Sequence, residues 1–165
     1  MIEAIHGANN VPPQPKSKGC ARLRVENQDA LIAWQKRNDK VTEAAAASLE
    51  ALREEVRGEF ELVADDLEVP PGSRLIGVAG TVTQLAALKA GVPVYDPDVT
   101  HHSVLSHGDV RSLARRLESL TIGQRKRVTG LEPGRADVIV AGAEILLGVM
   151  EAFDLPEVLV SERDI

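Results

Sequence analysis

The stretch from Pro70 to Thr83 constrains the fold of this chain more than any other. Pro70-Pro71-Gly72 is a turn signal. Arg74-Leu75-Ile76-Gly77-Val78-Ala79 then reads as a buried strand over 74–79, and a helix opens at Thr81 directly behind Gly80. Thr81 and Gln84, three positions apart, have the form of a capping box, and Gly91 with Pro93 ends the helix. A strand that runs without a linker into a helix needs a sheet beside it and a layer beneath it.

The rest of the chain supplies both. Val41, Ala45, Leu49, Leu52 and Val56 share one helical face over 41–57, with Gly58 as the expected stop. Ser106 with Asp109, and Thr121 with Gln124, repeat the capping-box spacing. Val110, Leu113, Ala114, Leu117 and Leu120 give the first of these helices its buried face. A helix over 134–152 carries Ala136, Ile139, Val140, Ala143, Leu147 and Met150 with so thin a polar face that it is expected to pack on two sides. Pro156 precedes a last buried strand over 157–161, and residues 19–26 alternate weakly as a third. Strand and helix alternating from residue 74 onward predict an α/β layer with parallel strands, about three in all, and flanking helices. Residues 1–18, with Pro12, Pro13 and Pro15 and no period, read as a mobile leader ahead of one unit over 19–165.

Composition narrows the function. The 165 residues carry 19 Lys+Arg against 25 Asp+Glu, a formal net charge of −6. The aromatic residues are Trp34, Phe60, Tyr95 and Phe153. An acidic chain with so few stacking platforms is a poor single-stranded nucleic-acid binder. No apolar run reaches membrane-spanning length and residues 1–20 lack a secretory apolar core. Cys20, the single cysteine, allows no internal disulfide and no multi-cysteine zinc site. A soluble cytoplasmic protein is the expectation, binding neither membrane nor nucleic acid.

Three places could carry chemistry. At Gly77–Thr83, glycines beside a helix start make an anion site, with Thr81 and Thr83 adding hydroxyls; a tight turn capped by a threonine explains the same residues, and neither a Walker loop nor GxGxxG is present. Tyr95-Asp96-Pro97-Asp98 running into Thr100-His101-His102 could hold a metal or move protons, or be a polar loop with capping and packing roles. Arg135, near the start of the apolar helix, opposes the helix dipole. It therefore calls for an anionic partner, either Asp137 or a ligand phosphate. Arg125-Lys126-Arg127 reads as a solvated basic face.

Taken together, several stretches resemble one family. Gly80-Thr81-Val82-Thr83 with Leu85-Ala86-Ala87-Leu88 is similar to the GTxTxLAAL element of the Ppx/GppA phosphatases, the exopolyphosphatases and guanosine pentaphosphate phosphohydrolases. Tyr95-Asp96-Pro97 with His101, Leu105 and Ser106 resembles the segment that follows in that family, and Thr121 falls at its next threonine. Leu131-Glu132-Pro133-Gly134-Arg135-Ala136-Asp137-Val138-Ile139 with Gly142-Ala143 resembles its GRADVI helix start, Val160-Ser161-Glu162 its terminal VSE strand, and Gly19 to Leu23 its GxxRL strand.

The resemblance implies a partial RNase H-like domain of the actin-like ATPase superfamily, and Mg²⁺-dependent release of phosphate from polyphosphate or pppGpp. It makes Gly80, Thr81 and Thr83 a cleft-facing phosphate loop, Arg135 the matching cation and His101 a further candidate, whereas His102 stands where the family has glycine. The DxGxxSxR loop with its catalytic glutamate and the DIGGGS loop have no counterpart in the sequence. The expectation is therefore an incomplete second domain, about half of a two-domain enzyme, without catalytic residues or most Mg²⁺ ligands of its own. It would be inactive alone and open to homodimerisation through its bare sheet. The alternative is a non-catalytic module that binds polyphosphate or a nucleotide, or pairs with a partner.

Overall fold

The computed structural model describes residues 43–67 and 69–163; the expected leader 1–18 and strand 19–26, with Cys20 and Trp34, lie outside them. Helix α1 spans Glu43–Asp66. It does not stop at Gly58, because Phe60 continues the stripe of Leu49, Leu52 and Val56 and is itself only 2% exposed. Burial of that ring outweighs the roughly 1 kcal/mol that glycine costs inside a helix. The stripe lies on Gly148, where any side chain would collide with Val56 and Phe60.

Strand β1 (Leu75–Gly77) leads into α2 (Gly80–Ala90); then come α3 (Pro97–Thr100), β2 (Val104–Ser106), α4 (His107–Glu118), α5 (Ile122–Arg125), a 3-10 turn at Pro133–Arg135, α6 (Ile139–Ala152) and β3 (Glu157–Val160). The sheet has the order β1-β3-β2. β1 and β3 are parallel as expected, but β2 is antiparallel to β3, so the sheet is mixed. β2 was hidden in the sequence because three residues that end on a capping serine are too few to show a period.

The register makes two rows. Leu75, Val158 and Leu105 align and are buried. Ile76, Leu159 and Val104 align on the opposite face, with Val104 exposed.

The capping boxes of Ser106 with Asp109 and Thr121 with Gln124 form in full. The long apolar helix starts later than 134. Residues 133–138 close instead into tight turns, with Arg135 N–H bonded to Glu132 O (2.9 Å) and Val138 N–H to Arg135 O (3.1 Å), and α6 begins at Ile139. Helix α6 packs against α1, α2 and α4, which explains its lack of a polar face. Its Glu144, 4% exposed, is held by Arg53 of α1 at 2.9 and 3.0 Å, and Arg53 also reaches Glu118 of α4 at 3.1 Å. The basic run at 125–127 is not uniformly solvated. Arg125 is 6% exposed, with Nε donating to Leu117 O (2.7 Å) and a terminal nitrogen to Ala136 O (3.3 Å).

Candidate phosphate cleft

The parallel strands β1 and β3 end side by side, and a cleft of about 510 Å³ opens beyond their carboxyl ends. This is where open α/β sheets usually bind ligands, because the loops diverge there and helix starts point inward. Its lining includes Ala79, Gly80, Thr83 and Gln84 from the first strand-to-helix junction, Glu132 and Arg135 from the 3-10 turn, Tyr95, and Ser161 with Glu162 from the end of β3.

At the junction, Ala79 has φ 67° and ψ 174°, a region that residues other than glycine rarely occupy, at a cost of about 1–3 kcal/mol. The expected capping box of Thr81 and Gln84 is absent. The N-cap is Ala79, with no side-chain cap. The side chain of Thr81 lies against Gly142 of α6, and the Gln84 amide is used elsewhere: Nε2 donates to Gly130 O (2.5 Å), and Oε1 accepts from the Glu132 N–H (3.1 Å). Without a side-chain cap, the first turn of α2 keeps donors for an anion.

A Cβ on Gly80 would overlap the Arg135 guanidinium, so the start of α2 and the end of that flexible side chain are in direct contact. Within the chain the anionic partner of Arg135 is not Asp137 but Glu132, whose Oε2 accepts from Nε at 2.8 Å. Both side chains of that pair are well exposed, so the pair itself contributes little to stability.

The opposite wall is built on Glu162. Its carboxylate accepts from the Tyr95 hydroxyl (2.5 Å) and from Thr100 Oγ1, and its backbone N–H donates to His101 Nδ1 (3.2 Å). Burial, and then the bond to Glu162, push the Tyr95 hydroxyl above its usual pKa. Thr83, buried, lines the cleft next to Tyr95.

Gly80, Thr83 and Arg135 thus come together, while Thr81 does not line the cleft but lies against Gly142, and His101 stands behind the wall, stacked on His102 with ring centroids 3.7 Å apart. The 95–102 segment is a scaffold: Asp96 caps α3 by accepting from the Asp98 N–H at 2.9 Å. Sequence reasoning did not single out Gln84 as a clamp, Glu132 as a counter-ion or Glu162 as a wall, since each role depends on partners at least 46 residues away or on the fold of the 3-10 turn.

Among the described residues no group of three or more His, Cys, Asp and Glu side chains could hold a metal. The two cleft carboxylates are already engaged, Glu132 by Arg135 and Glu162 by Tyr95 and Thr100. This donor set does not fit a resident magnesium ion; it fits anion binding. A larger groove of about 720 Å³ lies between α1, α4 and α6, but Arg53 and Glu144 on its wall neutralise one another.

The fold is an α/β domain of the actin-like type, and the chain belongs to the Ppx/GppA phosphatase family, whose model matches residues 28–164. Exopolyphosphatase 2 of Mycobacterium tuberculosis is 36% identical over 94 residues, which cover 54% of this chain and 30% of that protein. A bifunctional 3-dehydroquinate synthase/phosphatase of Fusobacterium nucleatum is 33% identical over 91 residues, covering 54% of this chain and 13% of that one. The Ppx/GppA family member of Aquifex aeolicus superposes with a TM-score of 0.67 at 28% identity, over 79% of this chain and 42% of the solved one. The chain therefore spans less than half the length of these relatives. Among the described residues no helix is long and apolar enough to cross a membrane.

Proposed function

We propose that the cleft binds the phosphate end of polyphosphate, or of pppGpp, as the second-domain half of a Ppx/GppA-type phosphatase. The observation that carries this is the contact between the Arg135 guanidinium and Gly80 at the uncapped start of α2. In phosphoryl transfer to water the protein's part is positioning and charge stabilisation, and these residues supply it. Backbone donors of the α2 start and the Thr83 hydroxyl would take phosphate oxygens, and Arg135 would exchange Glu132 for a phosphate. With a chain charge of −6, a polyanion is held by this local site rather than by the overall field.

The proposal includes Mg²⁺ dependence of the reaction, with no residue of this chain assigned to hold the ion. It also includes little or no turnover by these 165 residues alone, because they hold no counterpart of the family's DxGxxSxR loop with its catalytic glutamate or of its DIGGGS loop. The same observation favours the second reading, a binding module that works with a partner. A cytoplasmic location and a homodimer through the Ile76–Leu159–Val104 row belong to the proposal too. Phosphate release from polyphosphate, pppGpp and ATP with Mg²⁺ is expected to be negligible, while polyphosphate binds the chain and binds Arg135→Ala at least tenfold more weakly. Robust Mg²⁺-dependent release overturns the inactivity, and equal binding by both proteins overturns the site. Sedimentation at rising concentration checks the dimer.

A further inference from the structure

We propose that Gln84 is a positioning residue for Arg135: its carboxamide clamps the backbone at 130–132 and thereby holds the guanidinium over Gly80. The proposal rests on the phosphate reading of the cleft and deepens it by naming what keeps the cation in place.

Gln84 sits in α2 and is 3% exposed. Its amide works as a fork, with one arm donating to Gly130 O at 2.5 Å and the other accepting from the Glu132 N–H at 3.1 Å. The loop so gripped is already pressed on the end of α2. Gly130 has φ 82°, and a Cβ there would come within 2.6 Å of Val92 O. From Glu132 the connection reaches Arg135 twice: through the carboxylate to Nε at 2.8 Å, and through the carbonyl to the Arg135 N–H at 2.9 Å. Arg135 then meets Gly80.

Only an amide of this length provides both a donor and an acceptor at that distance. Glutamate has no hydrogen to offer Gly130 O, asparagine is shorter, and methionine fills the space with neither function. Without the clamp, a part-buried carbonyl and a part-buried N–H lose their partner inside the fold, and the loop gains by moving toward water. A long, half-exposed arginine side chain would then have to be ordered anew by each phosphate, at the expense of affinity.

The test uses the full 165-residue chain, with tripolyphosphate as probe and isothermal titration as readout. Gln84→Met is expected to weaken binding about tenfold, as loss of preorganisation does, and to cause no further loss in the Arg135→Ala background. Amide hydrogen exchange at Glu132 is expected to accelerate in Gln84→Met. Equal losses in both backgrounds, or no loss in either, overturn the positioning role, and unchanged exchange at Glu132 overturns the clamp itself. Failure of the phosphate reading looks different: the unsubstituted chain does not bind tripolyphosphate, or Arg135→Ala binds as well as it does, and both proposals fall. If Gln84→Met does not fold, Glu132→Pro is compared with Glu132→Ala. Residue 132 has φ −63°, which suits proline; both variants lose the carboxylate that meets Arg135, and only the proline variant also lacks the N–H that Gln84 receives. Weaker binding by Glu132→Pro than by Glu132→Ala upholds the clamp, and equal binding overturns it.

Discussion

Two regions of this molecule use the same charged residue types to opposite ends. Between α1, α4 and α6, Arg53 holds a nearly buried Glu144 in a two-bonded pair and takes Glu118 as well. The hydrogen bonding of Arg53 to the Glu144 carboxylate is the largest influence on the guanidinium and raises its pKa further. At the end of β1, Arg135 pairs with Glu132 through one bond between two exposed side chains, beside a strained Ala79. The first arrangement is closed: Arg53, Glu144 and Glu118 take one another as partners within the fold, and a ligand gains nothing by displacing them. The second is half open, and its single exposed pair can be exchanged for an anion at small cost. Charge alone does not mark a site. Charge with an exchangeable partner next to a helix start is what the proposed site adds.

That contrast can be broken most severely by cutting the helix layer. Phe60→Ala should lose about 3–5 kcal/mol of unfolding free energy, as for other buried aromatic rings, because the ring seats α1 on Gly148. Denaturant titration measures the loss. Arg53→Ala should cost about 3 kcal/mol by leaving the buried Glu144 carboxylate unpaired, while tripolyphosphate affinity stays as it was. A loss of binding equal to that of Arg135→Ala would show the two regions to be one. Arg135→Ala is expected to do the reverse, lowering binding at least tenfold, about 1.4 kcal/mol, with a thermal midpoint close to that of the unsubstituted chain.

The smallest effect lies at the junction of the layers. Lys89 and then Ser106 hold the Asp109 carboxyl down from 3.8 to about 2. A carboxyl lowered in the folded state lends stability that is complete above its unfolded pKa, near 3.8, and is lost as pH falls through about 2. Between pH 5 and pH 2 the thermal midpoint of Asp109→Asn should therefore fall less steeply than that of the unsubstituted chain. Identical slopes would remove Asp109 from the acid response.

The same divide separates what could be read along the chain from what could not. The boxes at Ser106 and Thr121 were legible because donor and acceptor lie three residues apart and close on themselves. The spacing at Thr81 and Gln84 was identical, yet it formed nothing of the kind. Gln84 found two backbone partners 46 and 48 residues away that satisfied its amide better than a cap would. Arg125 was misread for a related reason: a basic run looks solvated until Leu117 O and Ala136 O fold around one of its members. The Gly80 and Arg135 candidates were legible through the family resemblance, but their mutual contact was not.

By itself the sequence determined the helix faces, two helix starts, the β1-to-α2 junction and the family, since these depend on period, on neighbours three or four residues apart and on short motifs. Tertiary structure alone decided the antiparallel β2, the late start of α6 and the partner of every cleft side chain. A backbone group or a buried amide bonds to whatever the packed layers bring within 3 Å, and no local pattern records which atoms those will be.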